Sequence, residues 1–138
     1  MATITITTES RLENIDLLSA AIRGLCESAA LPAADIDRIE LCVVEALNNV
    51  VLHAYCNQPG HQLAVNWQLA ADRLQIDISD QGNPIATPPP QDLPAADAEG
   101  GRGWFIMKAC MDSLHYCSAA GTNTLTLVKR LGSRTQDG

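Results

Sequence analysis

Isoleucines at positions 4 and 6 alternate with threonines in TITITT, and this period of two predicts a half-buried strand at the start of the chain. Thr8 or Ser10 stands where it would cap a following helix, in which Leu12, Ile15, Leu18, Ile22 and Leu25 recur at helical spacing. The AALPAAD segment interrupts the pattern, and a second helix is predicted from about Asp35 to Tyr55. Leu63, Val65, Trp67 and Leu69 then alternate with polar residues. After a turn at AAD, Leu74, Ile76 and Ile78 do the same and lead directly into Asp80, as in a β-hairpin. Five of the seven prolines lie between Pro84 and Pro94, a density that predicts a long loop rather than helix or sheet. Beyond a GGRG turn, Trp104 to Met111 reads as helix. Leu114/Tyr116 and Leu125/Leu127 read as two closing strands joined at Gly121-Thr122-Asn123.

At 138 residues the chain is sized for one domain, and 46% hydrophobic with 18% charged residues is the balance of a globular protein. A net charge of −7 with nine Lys plus Arg argues against a nucleic-acid footprint, which needs clustered basic surface. Five cysteines with no C-x-x-C pair suggest neither a disulfide framework nor a zinc site, and point to packed thiols in a reducing cytoplasm. The N-terminus lacks the pattern of a signal peptide, and no apolar run is long enough to span a membrane. The expected location is therefore the cytoplasm.

The second helix carries the most chemistry. At about 100° per residue, Glu45, Asn49 and His53 fall within an arc of roughly 80°, while Ile36, Val43, Leu47, Val50 and Ala54 occupy the opposite side. A polar stripe is most often a solvated face. This one has no lysine or arginine on an otherwise apolar helix, which suits a lined cavity, and a carboxylate and an amide one turn apart can share a divalent cation. Two other segments add to it. DQGNP at 80–84 ends a strand with an acceptor carboxylate, Asp80, followed by Gly82, where the backbone can approach a flat ligand. Gly100, Gly101, Arg102 and Gly103 form a turn directly before a helix, where free N–H groups and the helix dipole can hold phosphates.

EALNNVVLHAY at 45–55, DQGNP at 80–84 and GGRGWFIMKACMDSLHY at 100–116 resemble, in order and spacing, the N-box and two glycine boxes of the GHKL ATPase superfamily. Within it the chain looks like the small bacterial anti-sigma-factor serine kinases, including the Met111-Asp112 pair, and the resemblance covers essentially the whole sequence. It implies a Bergerat-type α/β fold: an α+β two-layer sandwich with a mixed, mostly antiparallel sheet and helices on one face. The domain would run over residues 1–131, with an ATP lid at about 84–101 and a disordered tail at 132–138.

By the same resemblance, Asn49 matches the Mg²⁺ ligand and Glu45 the general base for an incoming serine hydroxyl. Asp80 matches the residue that reads the adenine amino group, Gly82 the glycine beneath the ring, and Gly100, Gly101, Arg102 and Gly103 the phosphate turn. Arg102 has two readings, a phosphate partner or a solvent-facing side chain. His53 is expected to pack under the site and Tyr55 to close the helix end, with Trp104 and Phe105 in core or lid packing and Lys108 outside. The implied cofactors are ATP and Mg²⁺. The implied partners are a STAS-domain anti-anti-sigma factor, a sigma factor and a second copy of the chain. The competing readings are an ATP-binding switch without phosphotransfer and a detached histidine-kinase catalytic domain.

Overall fold

The computed structural model describes residues 2–85 and 101–132, without the side chains of Gly101 and Arg102. The chain runs β1 (Ala2–Glu9), α1 (Leu12–Ser28), α2 (Ala33–Asn49), a π-helical turn (Val50–Ala54), β2 (Gln62–Leu69), β3 (Arg73–Asp80), α3 (Gly101–Cys110), β4 (Ser113–Ala119) and β5 (Thr122–Arg130). The strands form one sheet in the order β1-β2-β3-β5-β4, and each of the four pairings is antiparallel.

The alternation in the sequence is what gives this sheet two unlike faces. Pairing aligns Val65 with Ile78 and Ile78 with Leu125, and Trp67 with Ile76 and Ile76 with Leu127. These six side chains are all buried, and the helices cover them. On the other face Asp77 accepts hydrogen bonds from Thr126 Oγ1 at 2.8 Å and Gln68 Nε2 at 3.2 Å, a polar ladder that needs no cover. The helices supply the second layer through Ile15, Leu18, Ile22 and Cys26 of α1 and Ile36, Ile39, Cys42, Val43, Ala46 and Leu47 of α2. Arg23 ties the two together, reaching Glu40 at 2.9 Å and Asp37 at 3.0 Å.

Several details differ from the sequence expectations. Leu12 opens α1 yet stays exposed, because the helix has barely reached the sheet there. Neither Thr8 nor Ser10 caps α1; the cap position is Arg11, without a side-chain bond, and Ser10 is buried with its N–H donated to His61 O at 2.8 Å. The closing hairpin turns one residue early, at Ala120 and Gly121. Both have positive φ, as a two-residue turn matched to strand twist requires, so Thr122 and Asn123 already belong to β5. The Met111-Asp112 pair is structural: Met111 is buried, and Asp112 donates its N–H to Val128 O and takes the N–H of Arg130 on its carboxylate. Most of the expected lid and all but Gly132 of the expected tail lie outside the described residues. Among those described, no helix is long and apolar enough to cross a membrane.

Candidate functional site

The helix predicted over 35–55 changes register at its end. α-Helical bonding holds to Asn49; beyond it the Tyr55 N–H reaches Val50 O at 3.0 Å, one residue further back than an α-helix allows. Such π turns are rare and gather at functional sites. Here the turn brings the Ala54 carbonyl to the loop after β3, where it accepts the Asn83 N–H at 2.8 Å. Tyr55 completes the joint. Its hydroxyl donates to Gln62 O at 2.7 Å and accepts the Gln81 N–H at 2.7 Å, and its ring stacks on His61. Burial pushes the Tyr55 phenol pKa up, so the hydroxyl keeps its proton for that bond.

Between the end of α2, the sheet and α3 lies a cavity of about 320 Å³. That is at the small end of the range for ligand sites, enough to enclose the flat part of a ligand while an extended polar part passes out of it. Asn49, His53 and Ala54 form one wall, Ile78, Asp80 and Leu125 the floor, and Asn83 to Ile85, Trp104 and Tyr116 the remaining sides. Asp80 is 5% exposed. Its Oδ1 accepts the Gly82 N–H at 2.9 Å and Asn123 Nδ2 at 2.8 Å, and among the described residues no donor engages Oδ2. An acceptor oxygen is thus fixed at one end of a mostly apolar space.

At the other end the first turn of α3 crosses the polar stripe. A Cβ built on Gly103 would stand 3.5 Å from Glu45 Oε2 and 3.8 and 3.9 Å from the Asn49 amide atoms. It would touch without clashing, so the glycine leaves open a gap bounded by a carboxylate, an amide and the start of a helix. Glu45 and Asn49 are half-buried, and neither side chain has a hydrogen-bond partner among the described residues. An oxygen pair of this kind, beside the first turn of a helix, suits a hydrated divalent cation with phosphates, since Mg²⁺ keeps most of its water and takes one or two protein oxygens. Among the described residues no group of three His, Cys, Asp or Glu forms an all-protein metal cage.

The structure therefore brings Asn49 and Asp80 to one cavity and sets Gly103 against Glu45 and Asn49, with Gly101 and Arg102 in the first turn of α3. Gly100 and the Arg102 side chain lie outside the described residues. Gly82 does something other than expected: an added Cβ would lie 2.4 Å from Ala54 O and 2.7 Å from Ala54 C, so what approaches closely is the protein's own backbone. His53 does not pack under the site but is exposed on the cavity wall. Trp104 packs on the core as expected and lines the cavity as well, while Lys108 is exposed. Cys42, near the stripe in sequence, is fully buried, and desolvation raises its thiol pKa, which keeps it inert. Sequence reasoning missed Tyr116 and Asn123. A polar residue beside a predicted turn gives no sign that it will be 2% exposed.

Residues 8–129 match the family model described as "Histidine kinase-like ATPase domain". Among curated proteins, the chain is 30% identical over 132 residues to a serine-protein kinase RsbW of Halalkalibacterium halodurans, covering 86% of this chain and 78% of the relative. It is 38% identical over 96 residues to the serine/threonine-protein kinase BtrW of Bordetella bronchiseptica, with 64% and 66% covered. The RsbW of Bacillus subtilis is 22% identical over 134 residues, with 91% and 83% covered. A crystal structure of RsbU and RsbW domains from Mycobacterium tuberculosis superposes with a TM-score of 0.71 at 19% identity. That match covers 95% of this chain and 32% of the other, and it speaks to the fold alone.

Proposed function

The chain belongs to the histidine kinase-like ATPase domain family, and on that premise we propose that it binds Mg-ATP in the cavity and transfers the terminal phosphoryl group to a serine of a partner protein. The observation that carries this is the pair Glu45 and Asn49, without side-chain partners among the described residues and beside Gly103, with the Asp80 carboxylate fixed in the cavity that Asn49 also lines.

Mg-ATP supplies the transferable phosphoryl group, and the metal offsets charge on the phosphate oxygens. Asn49 would hold the metal through its amide oxygen. Asp80 Oδ2 accepts a hydrogen bond from the amino group of the base, and the apolar walls exclude water around it. The backbone N–H groups opening α3 would hold the phosphates, with no side chain at Gly103 to obstruct them. Glu45 would take the proton of the serine hydroxyl as its oxygen bonds to the terminal phosphorus and the bond from that phosphorus to the ADP oxygen breaks, ADP leaving, so no strong nucleophile has to be created in advance. Glu45 is half-buried and outside the cavity lining, which suits an acceptor arriving on another protein.

The two relatives named as serine kinases support a protein hydroxyl as the acceptor. The reading extends to a STAS-domain anti-anti-sigma factor as substrate, a sigma factor as the sequestered partner and a second copy of this chain, acting in the cytoplasm. The test is to incubate the protein with Mg²⁺, γ-labelled ATP and STAS-domain proteins encoded in the same genome. Acid-stable label on a serine of one STAS protein is expected. Tight ATP binding and nucleotide-dependent complex formation with no label on any STAS protein would instead support a switch that transfers nothing.

A further inference from the structure

A row of side chains crosses three strands at the base of the cavity. Asp80 of β3 pairs in register with Asn123 of β5, and Asn123 with Ser118 of β4. The Asn123 amide is 2% exposed and is not part of the cavity lining. Both of its N–H bonds are used, one to Asp80 Oδ1 at 2.8 Å and one to the Gly82 carbonyl at 3.0 Å, while its oxygen accepts from Ser118 Oγ at 2.7 Å. Turning the amide over would set its oxygen against two acceptors, so this orientation is the one the surroundings allow.

The consequence falls on Asp80. A carboxylate on a strand end can rotate about χ2, because that torsion is broad. Here two donors, the Gly82 N–H and the Asn123 amide, converge on the same oxygen, and the second is braced by Ser118. Asp80 is thereby held with Oδ2 as the oxygen left for a ligand. We propose that Asn123 is a positioning residue for nucleotide-base selection: by locking Asp80 as a pure acceptor, it makes the cavity favour a purine with a 6-amino donor over one with a 6-oxo acceptor. A 6-oxo group would put one acceptor against another that is held in place, whereas an unbraced carboxylate could swing aside and tolerate it. This rests on the reading of the cavity as a nucleotide site, and it adds a second, buried determinant behind the residue that touches the base.

The experiment compares affinities for Mg-ATP and Mg-ITP, which differ in the 6-substituent, across the wild type, Asp80→Asn, Asn123→Leu and Ser118→Ala. The wild type should prefer ATP by at least about tenfold, the scale of one hydrogen bond to a charged group. In Asp80→Asn the preference should vanish. In Asn123→Leu, which keeps the branched outline and removes the donor, ATP should weaken about tenfold and ITP by less than about twofold. Equal weakening of both nucleotides would mean that Asn123 only supports the fold, and would overturn the proposal. An unchanged preference in Asn123→Leu, beside a lost one in Asp80→Asn, would overturn it while leaving the nucleotide site standing. A wild type that binds both equally would instead remove the reading of Asp80 on which it rests. Should Asn123→Leu fail to fold, Ser118→Ala decides, since it leaves the amide in place without its brace: the preference should fall about threefold, and an unchanged ratio would sink the inference.

Discussion

Glu45→Gln is expected to lower phosphoryl transfer to the partner serine by about 10²- to 10⁴-fold while changing Mg-ATP affinity by less than about threefold. Glutamine keeps the shape and one hydrogen-bonding oxygen but cannot take a proton at neutral pH. The split follows from where the residue stands. Glu45 lies beside Gly103 and outside the cavity lining, whereas Asn49 belongs to both. Loss of the base should therefore appear in single-turnover transfer and not in nucleotide titration. If Glu45→Gln transferred phosphate at the wild-type rate, the acceptor proton would have to leave by another route, and the role given to this carboxylate would be wrong.

Gly82→Ala is expected to destabilise the fold by about 3 kcal/mol and to lower Tm by roughly 10 °C. The added methyl would sit 2.4 Å from the Ala54 carbonyl oxygen and 2.9 Å from the Tyr55 ring. That carbonyl cannot retreat cheaply, because it belongs to the last residue of the π turn and accepts the Asn83 N–H. Gly24 is the control. It is exposed within α1 with nothing within 4 Å of an added Cβ, so Gly24→Ala should stabilise by about 0.5–1 kcal/mol through helix propensity. Thermal unfolding of the two variants checks both signs. A Gly82→Ala protein as stable as the wild type but unable to bind nucleotide would return Gly82 to the role of ligand neighbour.

The two glycines near the site show what a sequence does and does not disclose. Gly103 sits where a glycine-rich turn meets a helix, and a local pattern suffices to find it. The partner of Gly82 is a carbonyl 28 residues earlier in the chain, at the end of a helix whose change from α to π bonding leaves no mark on hydrophobic periodicity. The sheet was legible because its inward residues alternate without exception, from Leu63 to Trp67 and from Leu74 to Ile78. The polar stripe was legible for the same reason, as a departure from an apolar helix. What eluded sequence reasoning depends on strands meeting edge to edge. Asn123 reads as a turn residue until β3 and β4 are placed on either side of β5, and Tyr116 reads as strand core until the cavity opens beside Leu125. His53 was expected beneath the site from the resemblance, whereas helical phase set it on the polar stripe with Glu45 and Asn49, and it is exposed on the cavity wall.

Asn49 offers the most direct measurement of the central claim, that Mg-ATP is held between Asp80 and the stripe on α2. Its side chain has no protein partner among the described residues, so Asn49→Ala should fold as the wild type does. Calorimetric titration with ATP, with and without Mg²⁺, should show the wild type binding at least about tenfold more tightly when the metal is present, and Asn49→Ala losing that difference. A wild type that does not bind ATP, or an Asn49→Ala protein that retains the full effect of Mg²⁺, would contradict the account.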